Sequence, residues 1–491
     1  MSLAKKAAAG FLWTTLANVG GRLVTIVSTF FVARFVLPFD QGEFNSAFVI
    51  VYTASNATQL GVQQYLAANP TSGREVAFHG GVLTLGAGLV GSLMVLALGG
   101  SIAGLIGSPG IAHYIPWLVA AHMIERCGWL PRNVLVRDMQ FRKVGMRAFV
   151  GEVTFAGVSV ALAARGWGGD ALLAANLVRA VVGMVYLVSV TSWREYLEPC
   201  RLKLETFKSI LRFGMPISVS MLFHYGATTW DNLFIAWRFG PATTGLYNQA
   251  YKLAELPATY IGEQINDVLV PTFARINDPE ARARGFLRAA SLMALVVCPL
   301  AIGLGSVSYT AVKTFYPPTY AGVAPFLAVL ASLSMFRSLG VLSAGLLQVA
   351  GRTRILAVID LILIVMLLGS MLLLSSFGAV WAAVGVGIAF FLNAVHVVRE
   401  LKPEGIKIRS VAGALVGPLL ACLMMAAAVF GVRHLLEPVG IHAALALTIE
   451  VLVGVVAYIA SAFVVAKSTA QDFVSLAISI LQRRRGAAAA E

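Results

Sequence analysis

Apolar stretches of about 20 residues or more, separated by short polar turns, recur fourteen times along this 491-residue chain. Each is long enough to cross the hydrocarbon core of a bilayer as a helix. Backbone in lipid must satisfy its own hydrogen bonds, so runs of this length and hydrophobicity are expected to be helical. The expected spans are 11–36, 43–66, 77–106, 111–135, 144–165, 169–192, 210–237, 244–274, 286–308, 320–349, 353–375, 377–398, 410–433 and 441–466. With 58% hydrophobic and 12% charged residues and a mean hydropathy of +0.81, the chain lies outside the range of soluble domains. The fold class expected is an all-α polytopic membrane protein.

The net charge of +14 does not argue for nucleic acid, which calls for a basic face on a soluble domain. Here the charge lies in short loops. With alternating spans, Lys5, Lys6, Arg74, the cluster Arg132, Arg137, Arg142, Lys143 and Arg147, and the basic residues of 194–212, 275–288, 352–354, 399–409 and 483–485 fall on one side. Arg34, Arg165, Arg238, Lys313 and Arg433 fall on the other, which places both termini in the cytoplasm by the positive-inside rule. The lysines before residue 11 suggest a signal peptide, but Asn18, Gly20, Gly21 and Arg22 interrupt the apolar run and no small-residue cleavage site follows, so a retained first span is expected. Residues 193–209 read as an amphipathic linker on the membrane surface, and 469–491 as an amphipathic basic tail. Cys127, Cys200, Cys298 and Cys422 are scattered without metal-like spacing.

Polar residues concentrate in four spans. Asn18, Arg22, Thr25 and Ser28 stripe the first span, and Tyr52, Asn56, Gln59 and Gln63 the second. Ser220, His224, Thr228 and Asp231 stripe the seventh, and Asn248, Lys252, Glu255, Thr259, Glu263 and Asn266 the eighth. The turn ARFVLPFDQGEFNSA at 33–47 reappears as AWRFGPATTGLYNQA at 236–250, aligning Pro38 with Pro241, Gly42 with Gly245 and Asn45 with Asn248. Two copies of one unit are expected, the second beginning near residue 210. Polar groups at bilayer depth are costly unless they face protein or water, so these faces are expected to line a wet pathway. Substrate-binding candidates are Arg22, Asn56, Gln59, Arg126, Arg179, Lys252, Glu255 and Arg337; the isolated acids Asp231 and Asp360 are candidates for coupling to Na+ or H+. No cofactor, metal or catalytic role is expected, since no Walker A, HExxH or GxSxG motif occurs.

The stretches GFLWTTLANVGGRLVTIVSTFFVARFVLP, FGMPISVSMLF, DNLFIAWRFGP, GLYNQAYKLAELP and VPTFARI resemble the Wzx-type oligosaccharide-lipid flippases, the polysaccharide transporters of the multidrug/oligosaccharidyl-lipid/polysaccharide exporter superfamily. The resemblance implies two pseudo-symmetric six-helix lobes of MATE-like fold, 1–192 and 210–400, around a central portal, with two further helices in 401–468. It implies passage of undecaprenyl-diphosphate-linked oligosaccharide from the cytoplasmic to the periplasmic leaflet of the bacterial inner membrane by alternating access. Polymerase and export machinery are the partners implied, and Arg22 and Lys252 are the counterparts of a cationic portal. Asp231, Glu255, Glu263 and Asp267 share the same helices and leave a second reading, a cation-coupled multidrug antiporter of the same superfamily. A membrane-embedded glycosyltransferase or polymerase is disfavoured, because no sizeable periplasmic loop or clustered acid/base pair is visible.

Overall fold

A computed structural model describes residues 20–69, 74–191, 200–257 and 269–488, and among these every regular element is helical. The chain divides into two compact units, Met1–Asn248 and Gln249–Glu491. The first holds α1 (Gly20–Val32), α2 (Pro38–Ala57), α3 (Val62–Ala68), α4 (Arg74–Ile106), α5 (Ile111–Cys127), α6 (Trp129–Arg137), α7 (Phe141–Ala163), α8 (Asp170–Val190) and all but the end of α9 (Leu204–Glu255). α7 lies along α8, α5 packs on both α4 and α8, and α2 lies against α4 and α5. Ala47, Ile50, Val51, Ile115 and Leu118 fill the contact between α2 and α5.

Local chemistry sets the breaks. Pro38 occupies the first turn of α2, where its missing N–H costs no helical bond. Within α9, Gly240 leaves the helical conformation at φ 82°, ψ 172°, with Pro241 following, so the expected turn at 238–241 is a one-residue break in a long helix. Positive φ there favours glycine. The second expected span does not run unbroken to residue 66. α2 ends at Ala57, Leu60 and Gly61 take φ of 54° and 58°, and α3 resumes at Val62.

In the second unit, α10 (Pro279–Ser306) is followed by α11 (Ser308–Phe315), α12 (Val323–Leu333), α13 (Met335–Val349), α14 (Thr353–Leu374), α15 (Ala379–Glu400), α16 (Ile408–Leu436), α17 (Ala443–Val465) and α18 (Lys467–Ala488). Asp278 caps α10, its carboxylate accepting from the N–H groups of Glu280 and Ala281, with Pro279 in the first turn. α10 packs on α12 and α16, α15 packs on α12, α13 and α14, and α16 lies along α17. The core here is Phe286, Met293, Leu342, Leu346, Val397 and Leu401.

Among the described residues nine helices are long and apolar enough to cross a membrane, and they coincide with expected spans 3, 5, 6 and 9 to 14. The helices at expected spans 2, 4 and 7 fall outside that set, and expected spans 1 and 8 are described only in part. Much of the apolar surface is uncovered: 11% of the apolar window of α17 is buried, and Leu373 and Val464 are 77% and 75% exposed. Such surface is costly in water and at home in hydrocarbon. The protein is a multi-pass membrane protein.

Candidate functional site

In the first unit the aligned copies of the repeated turn pack on each other. A Cβ on Gly42 would run into the carbonyl of Pro241, and a Cβ on Gly245 into the carbonyl of Pro38. The contact is reciprocal, and glycine at both positions is what lets the two backbones approach. Beside it the Nδ2 groups of Asn45 and Asn248 each donate to Oδ1 of Asn232 at 3.1 Å. Asn232 in turn donates through Nδ2 to Asp231 Oδ1 at 3.0 Å, and Tyr247 donates its hydroxyl to Asp231 Oδ2 at 2.6 Å. Asp231 is 1% exposed. The coupling candidate is thus the centre of a buried polar knot, and Asn45 and Asn248 within it are the pair that the alignment of the two turns matched.

The far end of α2 is held by the same long helix. A Cβ on Gly214 of α9 would meet the carbonyl of Leu60, and one on Gly61 would meet the Gly214 backbone. Tyr65 and Ser209 hydroxyls lie 2.9 Å apart, and the rings of Tyr65 and Phe213 meet edge to face at 5.4 Å. α9 therefore clasps the chain at both ends of α2, at Gly42 near its start and at Leu60 and Gly61 just past its end.

Between the clasps lies a charged network on α1, α2, α5, α7 and α8. Tyr52 donates to Glu125 Oε2 at 2.9 Å, and Thr25 donates to Glu152 Oε2 at 2.5 Å. Arg179 lies 3.8 Å from Glu125 and 3.8 Å from Glu152, with its guanidinium 5.4 Å from the Phe155 ring centre. Arg147 lies 3.9 Å from Glu125. These separations exceed the roughly 2.7–2.9 Å of tight charge-assisted bonds, so Arg179 is held loosely between two acids and Arg147 loosely beside one. Arg22 is half-buried on α1 beside Gly21, whose backbone lies against Glu152. Glu152 and Arg147 were not among the expected site residues; a lone acid and a lone cation on the fifth span were the available signal.

Arg126 is placed differently. It is 5% exposed and donates to the carbonyls of Ser55, Thr58 and Thr84, to the Thr58 hydroxyl and to His122 Nε2. Ser55 and Thr58 lie where α2 ends, so this guanidinium satisfies carbonyls that the helix break would otherwise orphan. Asn56 donates to the Tyr52 carbonyl and Gln59 to Asn56 Oδ1, so Asn56 lies on the last turn of α2 and Gln59 just past its end.

In the second unit Arg337 pairs with Glu255 at 2.9 Å and donates to the Tyr251 hydroxyl at 2.9 Å, with its guanidinium 5.6 Å from the Phe390 ring centre. The space beside them, about 30 Å³, holds little more than a water. Lys252 is exposed, with no ion pair among the described residues. Asp360 is half-buried on α14. Asn18, Thr259, Glu263, Asn266 and Asp267 lie outside the described residues.

Residues 31–325 match the family model described as Polysaccharide biosynthesis protein. The chain belongs to this family. Its relatives include the Lipopolysaccharide biosynthesis protein WzxC of Escherichia coli (strain K12), 25% identical over 363 residues and 72% of each chain. The Succinoglycan biosynthesis transport protein ExoT of Rhizobium meliloti (strain 1021) is 23% identical, over 65% of this chain and 64% of its own. Among solved structures, the inward closed conformation of the lipid II flippase MurJ superposes with a TM-score of 0.76 at 12% identity, covering 93% of this chain and 99% of that one. An inward-facing multidrug resistance MATE family transporter gives a TM-score of 0.60 at 17% identity, over 80% and 95%. The family member described here therefore has the fold of that superfamily, and its relatives and structural neighbours are transporters or flippases.

Proposed function

We propose that the protein flips an undecaprenyl-diphosphate-linked oligosaccharide from the cytoplasmic to the periplasmic leaflet of the bacterial inner membrane, for polymerisation into a surface or secreted polysaccharide. The observation that carries this reading is the pair Arg147 and Arg179 on two membrane-spanning helices, Arg179 held 3.8 Å from both Glu125 and Glu152 and Arg147 3.9 Å from Glu125. A diphosphate crossing a low-dielectric slab needs fixed positive charge. Arginines already bonded tightly have none to offer; loosely held ones exchange a carboxylate for phosphate at little cost. Within the first unit the proposed headgroup ligands are Arg22, Arg147 and Arg179, with Asn56 and Gln59 for sugar hydroxyls. Within the second, Lys252 is the candidate cation, and Arg337 becomes one if its Glu255 partner is displaced.

The two glycine clasps on α2 supply the closing contacts that alternating access requires, and release of one end exposes the network to one leaflet. Asp231, bonded to Tyr247 and Asn232 beside the Gly42 and Gly245 clasp, is the proposed coupling group of the first unit; binding of Na+ or H+ there competes with those hydrogen bonds. Asp360 is retained as the candidate of the second unit. Both termini are proposed to lie in the cytoplasm.

The test is deletion of the gene, with surface polysaccharide and the leaflet position of lipid-linked sugar intermediates measured together. Loss of polymer with intermediates trapped on the cytoplasmic leaflet is expected, and complementation by Arg179→Ala at normal protein level is expected to fail. The rival reading, a multidrug antiporter driven by cations, draws on Glu125 and Glu152 in the same network. It predicts normal polysaccharide in the deletion strain and drug sensitivity in Glu152→Gln.

A further inference from the structure

A cavity of about 450 Å³ opens in the first unit between α3, α4, α6 and α8, within the roughly 300–1,000 Å³ typical of ligand pockets. Its walls are apolar: Val62 and Leu66 of α3, Phe78 and Leu85 of α4, Leu130 of α6 and Met184 of α8 all face it. Val82 and Leu85, which line it, are also exposed on a membrane-spanning helix. The cavity therefore has part of its mouth on the apolar surface of that helix. None of the residues of the charged network lines it.

Two groups depart from an apolar lining: Arg126, whose guanidinium is bonded to the carbonyls of Ser55, Thr58 and Thr84, and Asn133. Asn133 lines the cavity, is 4% exposed, and has neither its Nδ2 nor its Oδ1 bonded to protein among the described residues. A buried amide with both ends unmet is destabilising, and its Nδ2 calls for an occupant that offers a hydrogen-bond acceptor, such as an ester carbonyl, at one end and a chain at the other. The charge around this end of the unit points to the head of that occupant. Arg137 lies one helical turn beyond Asn133 on the same face of α6. Arg132 bonds Gln63 beside the Val62 wall, and Lys143 bonds the Val190 carbonyl two residues beyond the Val188 wall. Arg142 adds a fourth cation; the acids Asp138 and Glu75 at this end are paired to Arg137 and Lys203.

We propose that this cavity is a binding site for an anionic phospholipid of the surrounding leaflet: one acyl chain enters between α4 and α8, the Asn133 amide bonds the glycerol-ester region, and the basic rim holds the phosphate. The site goes beyond the flipping reaction and uses none of its residues.

Trp129 lines the cavity and serves as the reporter. The full chain is reconstituted into phosphatidylcholine vesicles containing a graded mole fraction of phosphatidylglycerol with brominated acyl chains. The quenching of Trp129 is taken as the difference between the wild type and Trp129→Phe. The expected result is quenching that saturates at low mole fraction with brominated phosphatidylglycerol, and rises linearly with brominated phosphatidylcholine. Asn133→Leu should raise the half-saturating fraction about fivefold, the worth of one hydrogen bond, and Gly81→Phe, which fills the cavity, should abolish saturation. Saturation by both headgroups alike, the behaviour of a site for any apolar chain such as a polyprenyl tail, overturns the proposal, as does a linear response to both.

Discussion

Arg126 and Arg179 are both arginines inside apolar helices, and replacing each by Met should separate them. Met keeps much of the side-chain length and removes the donors. At Arg126 this strips the carbonyls of Ser55, Thr58 and Thr84 of their partner in a site 5% exposed. Each unmet carbonyl costs about 1–3 kcal/mol; with partial relaxation and water entry the total is roughly 3–5 kcal/mol, the range found when one partner of a buried charged contact is removed. At Arg179 the same substitution breaks two contacts of 3.8 Å in a side chain 21% exposed and leaves no backbone carbonyl unmet, so a smaller loss than at Arg126 is expected for so loose a pairing. The assay is thermal unfolding of the purified proteins in one detergent, followed by size-exclusion, together with surface polysaccharide in the complemented deletion strain. Arg126→Met should melt several degrees lower and accumulate poorly; Arg179→Met should melt near the wild type and fail to restore polymer. A stable, well-expressed Arg126→Met that cannot support polysaccharide would refute the reasoning and return Arg126 to the substrate pathway.

Gly42→Leu and Gly245→Leu should each prevent the reciprocal approach of the Pro38 and Pro241 carbonyls at an overpacking cost of about 1–3 kcal/mol; cysteines at Asn45 and Asn248 should then cross-link less efficiently than in the parent, and unchanged cross-linking would show that the clasp is not sealed by these glycines. In the second unit Glu450→Gln should lower stability by about 3–5 kcal/mol, because Glu450 is 1% exposed and accepts from Arg433 and Thr310; thermal unfolding reads this directly. The tail helix α18 is tied to α10 by Arg288 and Asp472, whose hydrogen bond holds the Asp472 carboxyl below its usual range. A depressed carboxyl contributes stability above its unfolded pKa of about 3.9, lost as pH falls through the lower folded value. The tie should therefore persist at neutral pH and weaken only under acid. Because the pair is largely exposed, the effect should stay within about 0.2–1 kcal/mol; protease access to the tail measured against pH, with Asp472→Asn as the reference, checks it.

Much of the candidate site was legible before any coordinates. The matched turns at 33–47 and 236–250 named Gly42, Gly245, Asn45 and Asn248, and these residues do meet. The stripe on the second span named Tyr52, which reaches Glu125. What the stripe could not show was that α2 stops at Ala57 and that an arginine from α5 caps the break. Nor did any local pattern mark Gly61 and Gly214 as a second clasp, since they sit in unrelated sequence and no repeat aligns them.

By itself the sequence determined the membrane class, the positions of the apolar helices, the breaks at Gly240 and Pro241 and the internal repeat. Hydrophobic length, glycine and proline act locally, and their effect does not depend on what packs nearby. Only the tertiary structure decided which cations are spoken for. An intramembrane arginine reads the same whether it caps broken backbone, as Arg126 does, or rests loosely between two acids, as Arg179 does. The difference lies in which carbonyls and carboxylates distant helices bring within reach, and packing sets that, not the residues on either side of the arginine.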